Sequence, residues 1–207
     1  MYRTDIVCGI FYFERTEKMS NKKTKIMTEC AILIALSTVL SFVKVWNMPW
    51  GGSITLFSML PVACISVRHG VKWGLGSAFV YSVIQLFFGI TLDGLLGWGL
   101  TGGILAACIL LDYILAFSVL GLSGVLSNKG LKGVLFGTFL SVFLRFVCHF
   151  LSGVYVFASA GKLWQGFETS NTFLYSLVYN GAYMLPEIVM TLVGAAVVFK
   201  ALENRNI

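Results

Sequence analysis

Four ionisable residues lie within otherwise apolar stretches of the chain, and their side chains are the first candidates for chemistry: Asp112, Arg145, His149 and Glu187. If these stretches cross a membrane, each charge costs about 2.5–3.5 kcal/mol on insertion scales. Ionisable residues at such positions usually mark a binding or transport site. We therefore expect these side chains to line a ligand site or to neutralise one another inside the protein.

Asp112 gives the sharpest signal, because apolar residues flank it on both sides. A carboxylate there needs a partner. A cationic or hydrogen-donating ligand would serve, and an ion pair with Arg145 is the structural alternative. Arg145 and His149 are four residues apart and share one helical face. Arg145 could also pair with Glu187, whereas His149, nearer the outer end of its segment, is predicted to contact a ligand.

A second group of polar residues forms a stripe in the last apolar segment. Ser176, Asn180, Tyr183 and Glu187 are spaced by four, three and four residues, so they occupy one face of a helix. The amide of Asn180 offers both donors and an acceptor, which suits a heterocycle with mixed edges. Hydrogen bonding between helices is the alternative use of such a stripe.

Aromatic residues concentrate in the loops that we predict to face outward, and they include Trp46, Trp50, Trp98 and Trp164. Any single tryptophan could be an interfacial anchor. Together, aromatic rings above a carboxylate and a histidine describe a pocket for a flat, cationic, heteroaromatic ligand held by stacking and cation–π contact. The segment 46–53 contains two glycines and could fold over this pocket as a lid.

Six apolar stretches supply the elements that must position these side chains. Hydrophobic residues make up 57% of the chain and charged residues 12%, about half the share in a soluble domain. Each stretch is near the ~20 residues that cross the hydrocarbon core as a helix. The sequence therefore predicts an all-α integral membrane protein with six transmembrane helices at 27–43, 53–67, 71–90, 102–126, 132–158 and 172–200.

The basic residues predict the orientation of these helices. Most Lys and Arg residues near the spans fall on one side, which the positive-inside rule places in the cytoplasm together with both termini. The domain 27–200 then follows a cytoplasmic leader, 1–26, and precedes a tail, 201–207. Residues 1–18 fit this plan poorly, and we expect the native start at Met19 or Met27. The basic residues concerned are Lys22, Lys23, Lys25, Arg68, Lys72, Lys129, Lys132, Lys200 and Arg205.

The sequence lacks the motifs of several classes of protein, among them redox and metal-binding proteins, ATPases and hydrolases with a catalytic triad. The five cysteines form no CxxC pair and lie in separate apolar segments, so we expect them to be packing residues rather than metal ligands. There is no Walker A pattern, and with only two histidines no catalytic triad stands out. We expect neither an enzyme nor a bound cofactor or metal, and any active transport must draw on an ion gradient or on another protein.

Short stretches in order along 25–200 carry a family resemblance: TECAILIA (28–35), PWGGSIT (49–55), LP (60–61), LDYILAF (111–117), HFLSG (149–153) and LYSLVYNG (174–181). The chain resembles the thiamin-specific S components of energy-coupling factor (ECF) vitamin transporters. The resemblance implies a bacterial plasma-membrane protein that binds thiamin from outside. It also implies docking on a transmembrane coupling protein that is driven by two cytoplasmic ATPases.

The resemblance further implies roles for individual residues. Ala31 and Ala35 match a small-residue pattern that contacts the coupling protein. The chain departs from the family where Asp112 replaces a Glu, Phe157 a Trp, and Gly102 a Tyr. The residues expected to bind the substrate are Asp112, Tyr113, His149, Phe157, Tyr175 and Asn180, with Trp50 and Trp164 over the ligand.

Other functions remain open at this stage. The ligand could be a related pyrimidine or thiazole precursor of the vitamin. A secondary transporter working alone would need coupling-ion ligands or a repeat between the two halves, and no repeat is evident. A membrane scaffold without a small ligand would leave Asp112, His149 and Asn180 unexplained.

Overall fold

The computed structural model describes residues 3–48, 52–164 and 166–203. Helices dominate this part of the chain. The α-helices are α1 (Arg3–Ser41), α2 (Leu60–His69), α3 (Val71–Thr91), α4 (Gly102–Cys108), α5 (Ala116–Ser118), α6 (Gly130–Tyr155) and α7 (Thr172–Glu203). A π-helical segment, Ile109–Leu115, joins α4 to α5, and a 3-10 turn, Val119–Leu122, extends α5, so the chain is helical without a break over 102–122. The predicted fold class, a helical membrane protein, therefore agrees with the structure.

Five helical segments are long and apolar enough to cross a membrane, as judged over the described ranges: Asn21–Ser41, Val71–Thr91, Gly102–Leu122, Ser127–Tyr155 and Thr172–Ala201. The expected count of six is not reached, because the segment predicted at 53–67 divides in two. Its start forms a strand, and its remainder forms α2, which has 10 residues and is about 15 Å long at 1.5 Å per residue. The placement of both termini in the cytoplasm stays a prediction.

Helix α2 is short because of its local sequence and its surroundings. Pro61 stands in its first turn, where a missing N–H is tolerated, and Gly70 ends it with a φ of +88°. Val62 and Ile65 are fully buried, so α2 is a core helix enclosed by the longer spans.

Two antiparallel hairpins form between helices. Strand β1 (Lys44–Asn47) pairs with β2 (Ser53–Thr55) between α1 and α2. Strand β3 (Gly161–Trp164) pairs with β4 (Phe167–Thr169) between α6 and α7. Strand β2 takes the start of the segment predicted as a span, and the other three strands lie in or beside predicted loops. An ion pair of 3.8 Å from Lys44 Nζ to Asp93 Oδ1 links the first hairpin to the end of α3. We call this side of the molecule the hairpin end.

Small residues and hydroxyl groups allow the helices to approach closely. A Cβ added at Gly121 would lie 2.5 Å from Leu75 Cα, so only glycine permits this crossing with α3. Ser66 on α2 accepts a hydrogen bond from the Gly124 N–H at 2.9 Å. Ser123 and Ser141 share another at 2.8 Å. Close packing and interhelical hydrogen bonds of this kind hold helices together in a membrane. The hydrophobic effect does not, because the lipid tails are as apolar as the side chains.

Candidate functional site

A cavity of about 440 Å³ lies at the hairpin end, enclosed by the first hairpin, α3, the π-helical segment, α6 and α7. Its volume falls in the 300–1,000 Å³ range of small-molecule sites. Eleven residues singled out from the sequence line it: Trp98, Asp112, Tyr113, Arg145, His149, Phe157, Tyr175, Ser176, Asn180, Tyr183 and Glu187. The structure thus gathers most of the predicted substrate-binding residues around one space.

Asp112 and His149 form the polar centre of this wall. His149 Nδ1 lies 2.8 Å from Asp112 Oδ1, and the Ser152 hydroxyl donates to Oδ2. Arg145 Nε donates to His149 Nε2 at 3.3 Å. Because an arginine can only donate, Nε2 must accept, so Nδ1 carries the proton and donates it to Asp112. The histidine is therefore neutral in this arrangement, and Asp112 is oriented by donors on α6.

Arg145 forms neither of the two ion pairs that the sequence suggested, with Asp112 or with Glu187. Among the described residues, neither Asp112 nor Glu187 lies within 4.0 Å of its guanidinium as an ion pair. The guanidinium instead lies 4.2 Å from the centre of the Phe117 ring, a cation–π contact. Asp112 is satisfied by His149 and Ser152, so the arginine is left to orient His149 and to face the cavity.

The π-helical segment carries two of the cavity residues, Asp112 and Tyr113. A π turn widens the helix and shifts its side chains relative to the α period, and such turns are frequent at functional sites. Asp112 and Tyr113 are consecutive, yet both line the cavity.

The polar stripe of α7 lies on one buried face, as predicted. Tyr183 Oη donates to Asn180 Oδ1 at 2.8 Å, and Asn180 Nδ2 donates to the Ser176 carbonyl at 3.0 Å. Asn180 Nδ2 also lies 3.3 Å from the His149 carbonyl. The stripe therefore joins α7 to α6, and it lines the cavity at the same time. The two alternatives considered for Asn180 are compatible.

The aromatic residues are distributed differently from the prediction. Trp164 is 40% exposed and packs on Phe167 with a ring distance of 5.8 Å, outside the cavity. It alternates with Leu163 along β3, and the strand turns Trp164 outward. Trp98 lines the cavity instead, with its ring 6.0 Å from that of Phe157. Trp50 lies outside the described residues.

Other wall residues were not selected from the sequence as ligand contacts. Lys44 and Asp93 line the mouth of the cavity, where they form an ion pair. Thr55 and Gln85 also reach the cavity. They are ordinary polar residues without an intramembrane charge, so no sequence signal distinguished them.

Gly89 on α3 makes room for a cavity residue, which gives a first prediction. A Cβ at this position would lie 2.5 Å from Tyr113 Cε1. Gly89→Ala should therefore push the tyrosine ring aside and lower the free energy of unfolding by about 1–3 kcal/mol, as overpacking does. The measurement is the midpoint of thermal unfolding in detergent.

Gly76→Ala is the matched control, because it stands on the same helix with open space around the added methyl group. It should keep or slightly raise the midpoint, since alanine favours the helix. Equal midpoints for the two variants would contradict the close contact between Gly89 and Tyr113.

The chemistry of this site suits recognition of a ligand. A carboxylate acceptor, an amide and a guanidinium face a space with aromatic walls from Tyr113, Trp98 and Phe157. The described residues contain no group of three or more His, Cys, Asp or Glu side chains placed to hold a metal ion. The arrangement can orient a flat, partly cationic ring system by hydrogen bonds at one end and stacking at the other.

Comparison with known proteins gives relatives over most of the chain. It is 29% identical over 190 residues to the thiamine transporter ThiT of Bacillus subtilis (strain 168), covering 84% of this chain and 89% of that protein. It is 24% identical over 190 residues to the thiamine transporter ThiT of Lacticaseibacillus paracasei, covering 84% and 86%. These relatives are named as transporters, not as enzymes.

The fold also has a solved counterpart. The crystal structure of ThiT from Listeria monocytogenes matches with a TM-score of 0.66 at 24% identity, over 88% of this chain and 97% of that one. This similarity shows a shared membrane fold. A family model described as "Thiamine transporter protein (Thia_YuaJ)" matches residues 27–206. Because that match takes in nearly all of the membrane region, the chain belongs to the thiamine transporter protein family, whose members are multi-pass cell-membrane proteins.

Proposed function

We propose that this chain is the substrate-binding (S) component of an ECF-type importer. In this role it captures thiamin from outside and passes it on through a coupling protein driven by two ATPases. The observation that carries the proposal is the cavity wall in which Asp112, oriented by His149 and Ser152, faces aromatic rings. Family membership supports thiamin transport, and the site supports thiamin as the bound molecule.

Thiamin has two ends that match the two kinds of wall. Its aminopyrimidine carries an exocyclic amine, a donor that suits the Asp112 carboxylate, and ring nitrogens that accept. Its thiazolium is a flat cation, and rings of aromatic residues attract such cations through their faces. Trp98 and Phe157 supply rings on the same side of the cavity. The site of about 440 Å³ has room for a ligand of this size.

The dependence on a partner is supported by α1. Ala31 and Ala35 are both exposed on this helix, four residues apart. Small residues at this spacing let two helix backbones approach closely in a membrane. The sequence has no nucleotide-binding motif, so a partner would have to supply ATP hydrolysis. We therefore assign this face of α1 to the coupling protein.

Our second prediction is that tryptophan fluorescence will report the binding of thiamin to the cavity. Thiamin should quench the emission of the purified protein and saturate at one ligand per chain, because Trp98 lines the cavity. Trp98→Phe should remove most of the quench, whereas Trp164→Phe should leave it, since Trp164 points away from the cavity.

Calorimetry provides the independent measurement. An affinity for thiamin that exceeds the affinities for its isolated pyrimidine and thiazole halves would support the intact vitamin as the ligand. Tighter binding of either half would instead favour a precursor. The absence of both quench and heat with every one of these compounds would contradict the proposal.

A further inference from the structure

Glu187 is a buried carboxylate that the direct recognition of the ligand does not use. It lies on α7, its exposed fraction is 2%, and it borders the cavity. Its Oε1 accepts hydrogen bonds from both the backbone N–H and the hydroxyl of Thr55, the latter at 2.7 Å. A buried carboxylate is costly unless such donors satisfy it. The role of Glu187 therefore depends on what Thr55, the donor of both bonds, does in the structure.

Thr55 belongs to the first hairpin, which forms one side of the cavity. It pairs with Lys44 across β1 and β2, and its hydroxyl also contacts the Ser58 hydroxyl at 2.5 Å. Lys44 in turn reaches Asp93 at 3.8 Å. Glu187 thus holds β2 against α7. Asp93 holds β1 against the end of α3.

A second contact on the same face of α7 supports this arrangement. Tyr183 precedes Glu187 by four residues, so both side chains point the same way. A Cβ added at Gly52 would lie 2.8 Å from Tyr183 Cε1, which shows how closely the hairpin backbone rests on this ring. Of the contacts between the hairpin and α7, the two hydrogen bonds from Thr55 to Glu187 join polar groups that are both buried, where leaving a group without its partner is costly.

We propose that Glu187 is a positioning residue that fixes the first hairpin as a wall of the cavity. Through Thr55 it sets the rate at which a bound ligand leaves. The proposal rests on the proposed function for its choice of ligand, thiamin. Without the carboxylate the hairpin separates from α7 more often, and each separation opens a way out for the ligand. Association should change less, because substitutions at one binding site usually alter the dissociation rate more than the association rate.

The test compares dissociation rates in variants of the detergent-purified full chain. Glu187→Met keeps the volume and removes both acceptor oxygens, and we expect thiamin to leave about ten times faster. Association should change by less than about threefold. Glu187→Gln keeps one acceptor oxygen for Thr55 and should restore much of the residence time. Stopped-flow fluorescence measures both rates.

A double-mutant cycle separates the link to Thr55 from a general loss of packing. Thr55→Val should by itself speed dissociation, but it should add little in the Glu187→Met background, because the bond that it removes is already gone. Thr191→Val is the matched control. It removes another fully buried hydroxyl one turn further along α7, and it should leave the rates unchanged. Additive effects of Glu187→Met and Thr55→Val would overturn the proposal.

Hydrogen exchange distinguishes this proposal from the choice of ligand, because it needs no thiamin. In the ligand-free protein, Glu187→Met should increase exchange of the peptide that spans Lys44 and Thr55, and Thr191→Val should not. A rise in this peptide supports the positioning role even if wild-type protein fails to bind thiamin. Unchanged protection of the hairpin in Glu187→Met would overturn it.

Discussion

Asp112→Asn should weaken thiamin binding about ten- to hundred-fold. A charge-assisted hydrogen bond is worth about 1.5–3 kcal/mol, and each 1.4 kcal/mol is a factor of ten in affinity. The substitution keeps the size of the side chain but removes its charge. The new NH₂ group would also face a donor, either His149 Nδ1 or the Ser152 hydroxyl, where a carboxylate oxygen now accepts. Titration calorimetry measures the loss.

Glu168→Gln is the matched control for this prediction. It neutralises an exposed carboxylate on β4 that does not border the cavity, so the affinity should stay the same. Unchanged binding by Asp112→Asn, with a normal unfolding midpoint, would contradict a direct contact. Asp112 would then be a structural partner of His149 and Ser152.

Ala35→Trp should abolish thiamin uptake by cells while leaving thiamin binding by the isolated protein intact. The side chain is exposed on α1, and an indole there would hold a neighbouring helix away from the close approach that alanine permits. Co-purification with the coupling protein and the ATPases should be lost as well. The measurements are uptake of labelled thiamin, pull-down of the ATPases and calorimetry on the purified variant.

Val193→Trp serves as the control for bulk on a membrane-facing surface. Val193 is 56% exposed on α7, away from Ala31 and Ala35 in sequence, and its replacement should leave uptake unaltered. A transporter that works alone would show no separation between binding and uptake. Full uptake by Ala35→Trp would therefore argue against the ECF assignment and favour such a transporter.

The sequence by itself determined the class of the protein and indicated several of the residues that line its cavity. Long apolar stretches must form helices in a membrane because lipid offers no partner to the backbone. Charges are so costly there that Asp112 and His149 stood out without any structure. Helical periodicity then placed Asn180, Tyr183 and Glu187 on one face of α7, and all three border the cavity. These conclusions depend only on local spacing and on solvation.

The tertiary structure decided which groups pair with one another. Glu187 is bound to Thr55, a residue 132 positions away, although Arg145 was the obvious charged candidate in the sequence. The difference arises because hydrogen bonding to β2 depends on where the first hairpin rests, and no local pattern encodes that position. The same reason explains why Trp98 reaches the cavity and Trp164 does not. Their orientations follow from turns and strand pairing, whose geometry only the assembled fold provides.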